Sequence, residues 1–238
     1  MKTKTHGIAA LLAVSTTAGF AGADVITSWS FEGLASNLSV TGANSGNFAS
    51  DGGAISGNAN GLHAASSTVT SSPVGNGSLR SLSSNNWAIG DYWQFSSSSV
   101  GYSGITIQWD QTGSNTGPRD FNLFYSLNGT TFTQIGAMLT VLANGGAPNA
   151  SWNGTTASSA YTFGPIAAPA ALDNQATIYF RLVDASTVST TGGSVGTGGT
   201  DRVDNVIISG SVPTPGAISL VGLGGLFVAR RRRSGGSF

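Results

Sequence analysis

Residues 105–136 read ITIQWDQTGSNTGPRDFNLFYSLNGTTFTQIG. The first six alternate strictly: Ile105, Ile107 and Trp109 fall on one face, Thr106, Gln108 and Asp110 on the other. Successive side chains of a strand point to opposite faces, so this is the pattern of a half-buried strand. Residues 121–125 (FNLFY) and 130–135 (TTFTQI) are two further strand-like runs. Between them lies Leu127-Asn128-Gly129, and Asn-Gly at such a junction signals a hairpin turn. The stretch predicts a strand, a connection and a hairpin.

The same signals recur outward from it. Residues 25–31 (VITSWSF), 92–95 (YWQF), 177–183 (TIYFRLV) and 203–209 (VDNVIIS) read as strands. They are rich in the β-branched and aromatic residues that suit a pleated surface. Helical periodicity is missing between Asp24 and Gly210. Gly- and Ser-rich loops separate the runs, with 191–200 (TGGSVGTGGT) the extreme case. Residues 37–60 form another long polar region with weak strand signals. Many short strands without helices predict an all-β fold, a jelly-roll-like antiparallel β-sandwich.

The two ends carry a different code. Lys2 and Lys4 form a basic segment, residues 7–20 an apolar one, and Ala21-Gly22-Ala23 a small-residue cleavage site. This is the build of a secretory signal helix, with Ala21 and Ala23 at the cleavage site and a mature start at Asp24. At the other end, Ser211-Val212-Pro213-Thr214-Pro215-Gly216 leads into an apolar run at 217–229. Four arginines follow: Arg230, Arg231, Arg232 and Arg233. The run has 13 residues, against about 20 for a full span. At about 1.5 Å per residue it covers roughly 20 Å of a hydrocarbon core of about 30 Å. Arginine snorkelling and bilayer thinning close part of that gap. Gly222, Gly224 and Gly225 weaken the helix further. A short transmembrane helix with a cytoplasmic arginine stop is expected, as a transient anchor or a permanent one. The domain organisation that follows is a signal peptide at 1–23, a β-sandwich at 24–210, a sorting signal at 211–233 and a tail at 234–238.

A signal peptide, a low-complexity body and this three-part tail resemble the PEP-CTERM proteins, exported by bacteria that often make extracellular polysaccharide. The resemblance covers Val212, Pro213, Thr214, Pro215 and Gly216, the apolar run and the arginine cluster. It implies an exosortase, an integral-membrane transpeptidase, as the partner that processes the tail, after passage through the secretion machinery. The family's Pro-Glu-Pro is here Pro213-Thr214-Pro215. Residues 104–136 carry a second resemblance, to a motif of secreted β-sandwich domains: a strand, then T-G-P-R, then an F-x-L-x-Y-S-x-N-G-x-x-F hairpin. Arg202-Val203-Asp204-Asn205-Val206 is similar to the last strand of that class, and Trp29-Ser30-Phe31-Glu32-Gly33 to its first. These matches imply a jelly roll of the carbohydrate-binding or adhesion kind, with the first and last strands as neighbours. They also imply a structural calcium where those strands meet, with Glu32, Asp201 and Asp204 as candidate ligands. Calcium takes six to eight oxygens, and carboxylates and loop carbonyls supply them. The plainer alternative is that Asp204 and Asn205 cap a turn through side-chain to backbone bonds.

Composition narrows the chemistry. Between Asp24 and Gly210 the basic residues are Arg80, Arg119, Arg181 and Arg202, against ten acidic ones, a net charge of −6. That excludes nucleic acid as a partner, since phosphates demand a basic surface. The chain has no cysteine, which removes disulfides, thiol catalysis and thiolate metal sites. The single histidine of the body, His63, falls in a probable surface loop, and no G-x-S-x-G elbow accompanies the many serines. Glu32 is the one glutamate, and glycoside hydrolysis uses an opposed carboxylate pair. Asp120, next to Arg119, offsets that charge beside the hairpin. Five tryptophans are present. Trp109 belongs to the core by its alternation. Trp87 and Trp152, in polar surroundings, are the candidate stacking surfaces for a sugar.

These readings predict an exported cell-surface or extracellular-matrix protein with a non-catalytic, structural or adhesive role. The alternative is a carbohydrate-binding module for extracellular polysaccharide, which requires aromatics exposed together on one face. A secreted hydrolase would require carboxylates about 5–10 Å apart in a cleft.

Overall fold

The computed structural model describes residues 22–145 and 150–213. The sorting signal beyond Pro213 and most of the signal peptide lie outside the described residues, as do the two terminal helices expected there. The body is all-β. In chain order the strands are β1 (Asp24–Trp29), β2 (Ser39–Thr41), β3 (Phe48–Ala49), β4 (Asn58–Leu62), β5 (Val69–Ser71), β6 (Leu82–Ser84) and β7 (Tyr92–Ser97). Then come β8 (Ser103–Gly113), β9 (Asp120–Ser126), β10 (Thr133–Thr140), β11 (Thr162–Ala167), β12 (Ile178–Asp184) and β13 (Asp201–Ser211). The helical pieces among the described residues are single 3-10 turns at Ser159–Tyr161 and Ala170–Leu172.

The strands form two antiparallel sheets. Sheet I runs β11-β8-β13-β6-β5-β2, with β1 also paired to β13; sheet II runs β10-β9-β12-β7-β4-β3. The first strand lies against the last, Asp24 opposite Gly210 and Trp29 opposite Val206. The resemblance implied that neighbourhood. β1 and β6 share one flank of β13 end to end, since β6 pairs with Asp201–Val203. β1 stops two residues earlier than its apolar pattern suggests, because Phe31 takes a left-handed φ of 58°.

Alternation places the core between the sheets. Ile105, Ile107 and Trp109 of β8 point inward with Ile26 and Trp29 of β1. From sheet II, Trp93, Phe95, Phe121, Leu123, Ile178, Phe180 and Leu182 meet them. Each such side chain contributes about 1.5–3 kcal/mol by leaving water. With no cysteine available, this apolar packing carries the stability of the body. The hairpin of β9 and β10 forms as its sequence indicates, with Gly129 at φ 72°. Asn128 Oδ1 accepts from the N–H groups of Thr130 and Thr131, both at 2.9 Å, which ties the turn.

β13 departs from simple alternation at one point. Its register shifts between Asp204 and Ile207, and Asn205 has a left-handed φ of 47°. This is a β-bulge: one extra residue bends the strand and re-aims its side chains. Asn tolerates the left-handed region better than most residues. As a result Val203 and Val206 both enter the core, three residues apart, while Asp204 and Asn205 both turn to the outer side of sheet I.

Candidate functional site

The three carboxylates expected to hold calcium do not come together. Asp201 is fully buried and faces the interior. Its Oδ1 accepts from Trp93 Nε1 at 2.7 Å, and Gln111 Nε2 lies 3.2 and 3.1 Å from its two oxygens. Burial pushes this carboxyl well above the usual range, against the lowering effect of the two donors. Asp204 lies on the outer side of the bulge. Its Oδ2 accepts from the Asn76 backbone at 2.8 Å and the Ser78 hydroxyl at 2.6 Å. Glu32 reaches the same loop further on and accepts from the Arg80 backbone at 2.8 Å. So Glu32 and Asp204 both fasten the 75–80 loop, and Asp201 belongs to the core. No group of three His, Cys, Asp or Glu among the described residues is arranged to hold a metal. Asp201 is thereby set apart from the other two candidates, and the turn-capping alternative matches one bond of Asp204: its Oδ1 accepts from the Asn205 backbone at 2.8 Å.

Around Asp204 the bulge assembles a polar network. Asp110 sits opposite Asp204 in the register of β8 and β13. Asn76 Nδ2 and Asn205 Nδ2 both donate to Asp110 Oδ2, at 3.0 and 2.8 Å. Thr162 donates to its Oδ1 at 2.6 Å, and Asn76 Oδ1 accepts from the Ser158 backbone at 2.8 Å. Asn76 is 2% exposed and Asp204 fully buried, so these bonds are what make burial of the two carboxyls tolerable. Burial raises the Asp204 carboxyl to about 7. The network pins two loops onto sheet I.

The two tryptophans expected at the surface are both 6% exposed. Trp87 packs edge-on to His63, Trp93 and Phe121, with centroids 4.6, 5.4 and 5.5 Å away. Its Nε1 donates to Ser84 O at 2.8 Å. Trp152 packs against Tyr161 at 5.3 Å and donates to Val74 O at 2.8 Å. Each indole N–H finds a backbone acceptor, for Trp87 at the end of β6 and for Trp152 on a distant loop, which is how a tryptophan in polar surroundings becomes buried. His63 is likewise interior, 4% exposed, not on a surface loop. Its Nδ1 lies 3.2 Å from Asp91 Oδ2, and its Nε2 is buried with no partner among the described residues. Trp93 flanks it at 6.0 Å.

A second acidic layer closes the same end of the core. Asp184, 1% exposed, has one carboxyl oxygen with no partner among the described residues, and burial pushes it up to about 7. Asp120 is the opposite case. Hydrogen bonds from Arg119 Nε at 2.8 Å and Nη2 at 3.1 Å hold it below the usual carboxylate range. The sequence expectation of a charge-offsetting pair holds there.

The aromatics that do share an outer face were not singled out in the sequence. On sheet II, Tyr92, Tyr179 and Phe124 point away from the core, half-buried, beside Arg181. Arg181 Cζ lies 3.8 Å from the centroid of the Tyr92 ring and 3.7 Å from that of Phe132. Two rings cannot occupy one side of a planar group at that distance. The guanidinium is therefore clamped between them, a doubled cation–π contact. Burial lowers the Arg181 pKa from its ordinary value. At one margin of this sheet a shallow cleft of about 280 Å³ is lined by Asn58, Ser96, Ser97, Ser98 and Thr177.

No protein-family model matches the chain, and no curated protein does. Among solved structures, the chain is similar to the K2 cleaved adhesin domain of Lys-gingipain. The identity is 16% and the TM-score 0.35, over 59% of this chain and 82% of that one.

Proposed function

We propose that the chain is an exported bacterial surface or matrix protein with a structural or adhesive, non-catalytic role. Its body is a jelly-roll-like sandwich, delivered by the signal peptide and sorted through the tail by an exosortase-type transpeptidase. The observation that carries this reading is where the fold begins and ends. β1 starts at Asp24, the residue after the expected cleavage site, and β13 ends at Ser211, just before Val212 and the Pro-Thr-Pro motif. At the N-terminal side the fold begins directly after the expected cleavage site, and at the C-terminal side the last strand shares only Ser211 with the expected sorting signal at 211–233, so both ends can be processed while the body stays intact. The non-catalytic part is supported by what the reactive side chains do. His63 is packed among indoles, and Glu32 is bonded to the backbone of Arg80.

The reading is tested by replacing Arg230, Arg231, Arg232 and Arg233 with serine and following the chain in its host. Loss of the positive stop should abolish retention and tail processing, leaving an uncut chain outside the inner membrane. Processing indistinguishable from that of the unaltered chain would refute the sorting role.

A second reading, a carbohydrate-binding module, is favoured by one observation: the outer face of sheet II gathers Tyr92, Phe124, Phe132 and Tyr179 around Arg181. Rings presented together with amide side chains are how proteins meet the apolar faces and hydroxyls of sugars.

A further inference from the structure

The outer face of sheet II is organised as transverse rows. The central one, read through the strand registers, is Asn60–Gln94–Arg181–Phe124–Gln134. Its polar members are linked: Arg181 Nε donates to Gln94 Oε1 at 2.8 Å, and Gln94 Nε2 donates to Asn60 Oδ1 at 3.2 Å. The flanking rows are Leu62–Tyr92–Val183–Asn122 and Asn58–Ser96–Tyr179–Ser126. None of the chain's ten acidic residues lies in these rows. The body is strongly acidic, yet the charged side chain in these rows is a cation, Arg181.

That cation is held in a particular way. Its two faces are covered by Tyr92 and Phe132. Of the five N–H donors of a guanidinium, only Nε–H has an acceptor among the described residues, Gln94. The ion pairs among those residues are His63–Asp91 and Arg119–Asp120, so no carboxylate answers Arg181. Neither Nη is among the buried polar atoms that lack a partner, so both Nη groups are open to solvent with their donors unused among the described residues. A planar fork of this kind matches a carboxylate bidentately, and the clamp removes much of the side-chain entropy that such a contact otherwise costs. The neighbouring amides of Asn60, Gln94 and Gln134 offer donors and acceptors suited to hydroxyls.

We propose that this face binds an acidic polysaccharide, the Nη edge of Arg181 taking the carboxylate of a uronic-acid residue. The rims of Tyr92 and Phe132 meet the sugar's C–H surface, and the amide row meets its hydroxyls. A neutral glycan leaves the clamped cation unanswered. A uronic acid offers one planar carboxylate at each sugar, the group that a guanidinium fork pairs with bidentately. The inference rests on the carbohydrate-binding reading above and names its ligand class.

The test is titration of the purified full chain with polygalacturonate. A parallel titration uses the same polymer after its carboxylates are reduced to hydroxyls. Binding of the first and weak or no binding of the second is expected. Arg181→Gln should lower affinity roughly tenfold or more, the range for losing a charged hydrogen bond. Arg181→Lys keeps charge and stem and guards against misfolding. It should also bind more weakly, because an ammonium cannot make the bidentate pair. Melting curves establish that both variants fold. The proposal is overturned if the unaltered chain ignores polygalacturonate, binds the reduced polymer equally well, or is matched in affinity by folded Arg181→Gln. Binding to the reduced polymer alone would keep the carbohydrate-binding reading and sink the acidic ligand. Failure with both polymers would remove the two together. Export and tail processing are read by fractionation and do not depend on either titration.

Discussion

The indole Nε1 of Trp93 on β7 donates a 2.7 Å hydrogen bond to Asp201 Oδ1 on β13, across the interior of the sandwich. Both residues are fully buried, and the bond joins sheet II to sheet I. Gln111, itself bonded by Trp109 Nε1 at 2.9 Å, is the other donor to Asp201. A buried carboxyl with a missing partner bears its full desolvation cost. Trp93→Phe is therefore expected to lower the unfolding free energy by about 1–3 kcal/mol. Urea unfolding measures it, and unchanged stability would show that Asp201 does not depend on the indole.

Stability should depend on pH with a definite sign. Burial raises Asp184 and Asp204 to about 7 and Asp201 well above its usual value. A carboxyl raised in the folded state stabilises the fold where it is protonated. That contribution is complete below the unfolded value near 4 and is lost as pH climbs through about 7. The melting temperature should fall from about pH 5 to about pH 8, by roughly 2–4 °C for each kcal/mol lost. Asp120, held low by Arg119, acts in the opposite sense, and its contribution disappears only in stronger acid, so it does not offset the fall. Asp204→Asn should flatten the profile. A melting temperature that rises over this interval would contradict the account.

Close packing at β4 predicts a sharp contrast between two glycines. A Cβ on Gly57 would sit 2.6 Å from Ser96 O, 2.6 Å from Thr27 Cγ2 and 2.7 Å from Trp29 Cζ2. Gly33 has open space around it. Gly57→Ala should destabilise by about 1–3 kcal/mol through overpacking, and Gly33→Ala should be near neutral. Thermal melts of the pair decide it, and equal melting temperatures would count against the packing described.

Trp152 should behave as a structural residue. Trp152→Ala removes its packing on Tyr161 and the bond to Val74, and is expected to cost about 3–5 kcal/mol. Polygalacturonate affinity of the folded fraction should be unchanged. A loss of affinity at unaltered stability would return Trp152 to the role of a stacking surface.

Much of the architecture is legible in the sequence wherever apolar and polar residues alternate. β1, β7, β8, β9, β12 and β13 all fall on such runs, and the Asn128-Gly129 turn marks the hairpin. The start of β10 was displaced, since Thr130 and Thr131 belong to the turn. β2 to β6 are hard to see because they are short and most of their buried residues are small or polar: β5 buries Thr70 alone, and β6 buries two serines beside Leu82. Their burial comes from the loops and strands laid over them, which no local pattern encodes. The same reason hides the sites. Trp152 is buried by Val74, 78 positions away, and Asn76 reaches Asp204 over 128. Asp201 and Asp204, three positions apart in unbroken register, fall on opposite faces of β13 by alternation alone, ahead of the bulge at Asn205. The Arg181 clamp draws Tyr92 and Phe132 from separate elements, so neither ring stands out by itself.

The central claim, export and sorting of an intact body, is met most directly by intact mass. The protein would be recovered from its native host in membrane, surface and medium fractions. The account predicts a species that begins at Asp24 and ends between Pro213 and Gly216, outside the inner membrane. A chain that keeps Arg230 to Arg233 and stays in the membrane fraction would contradict it.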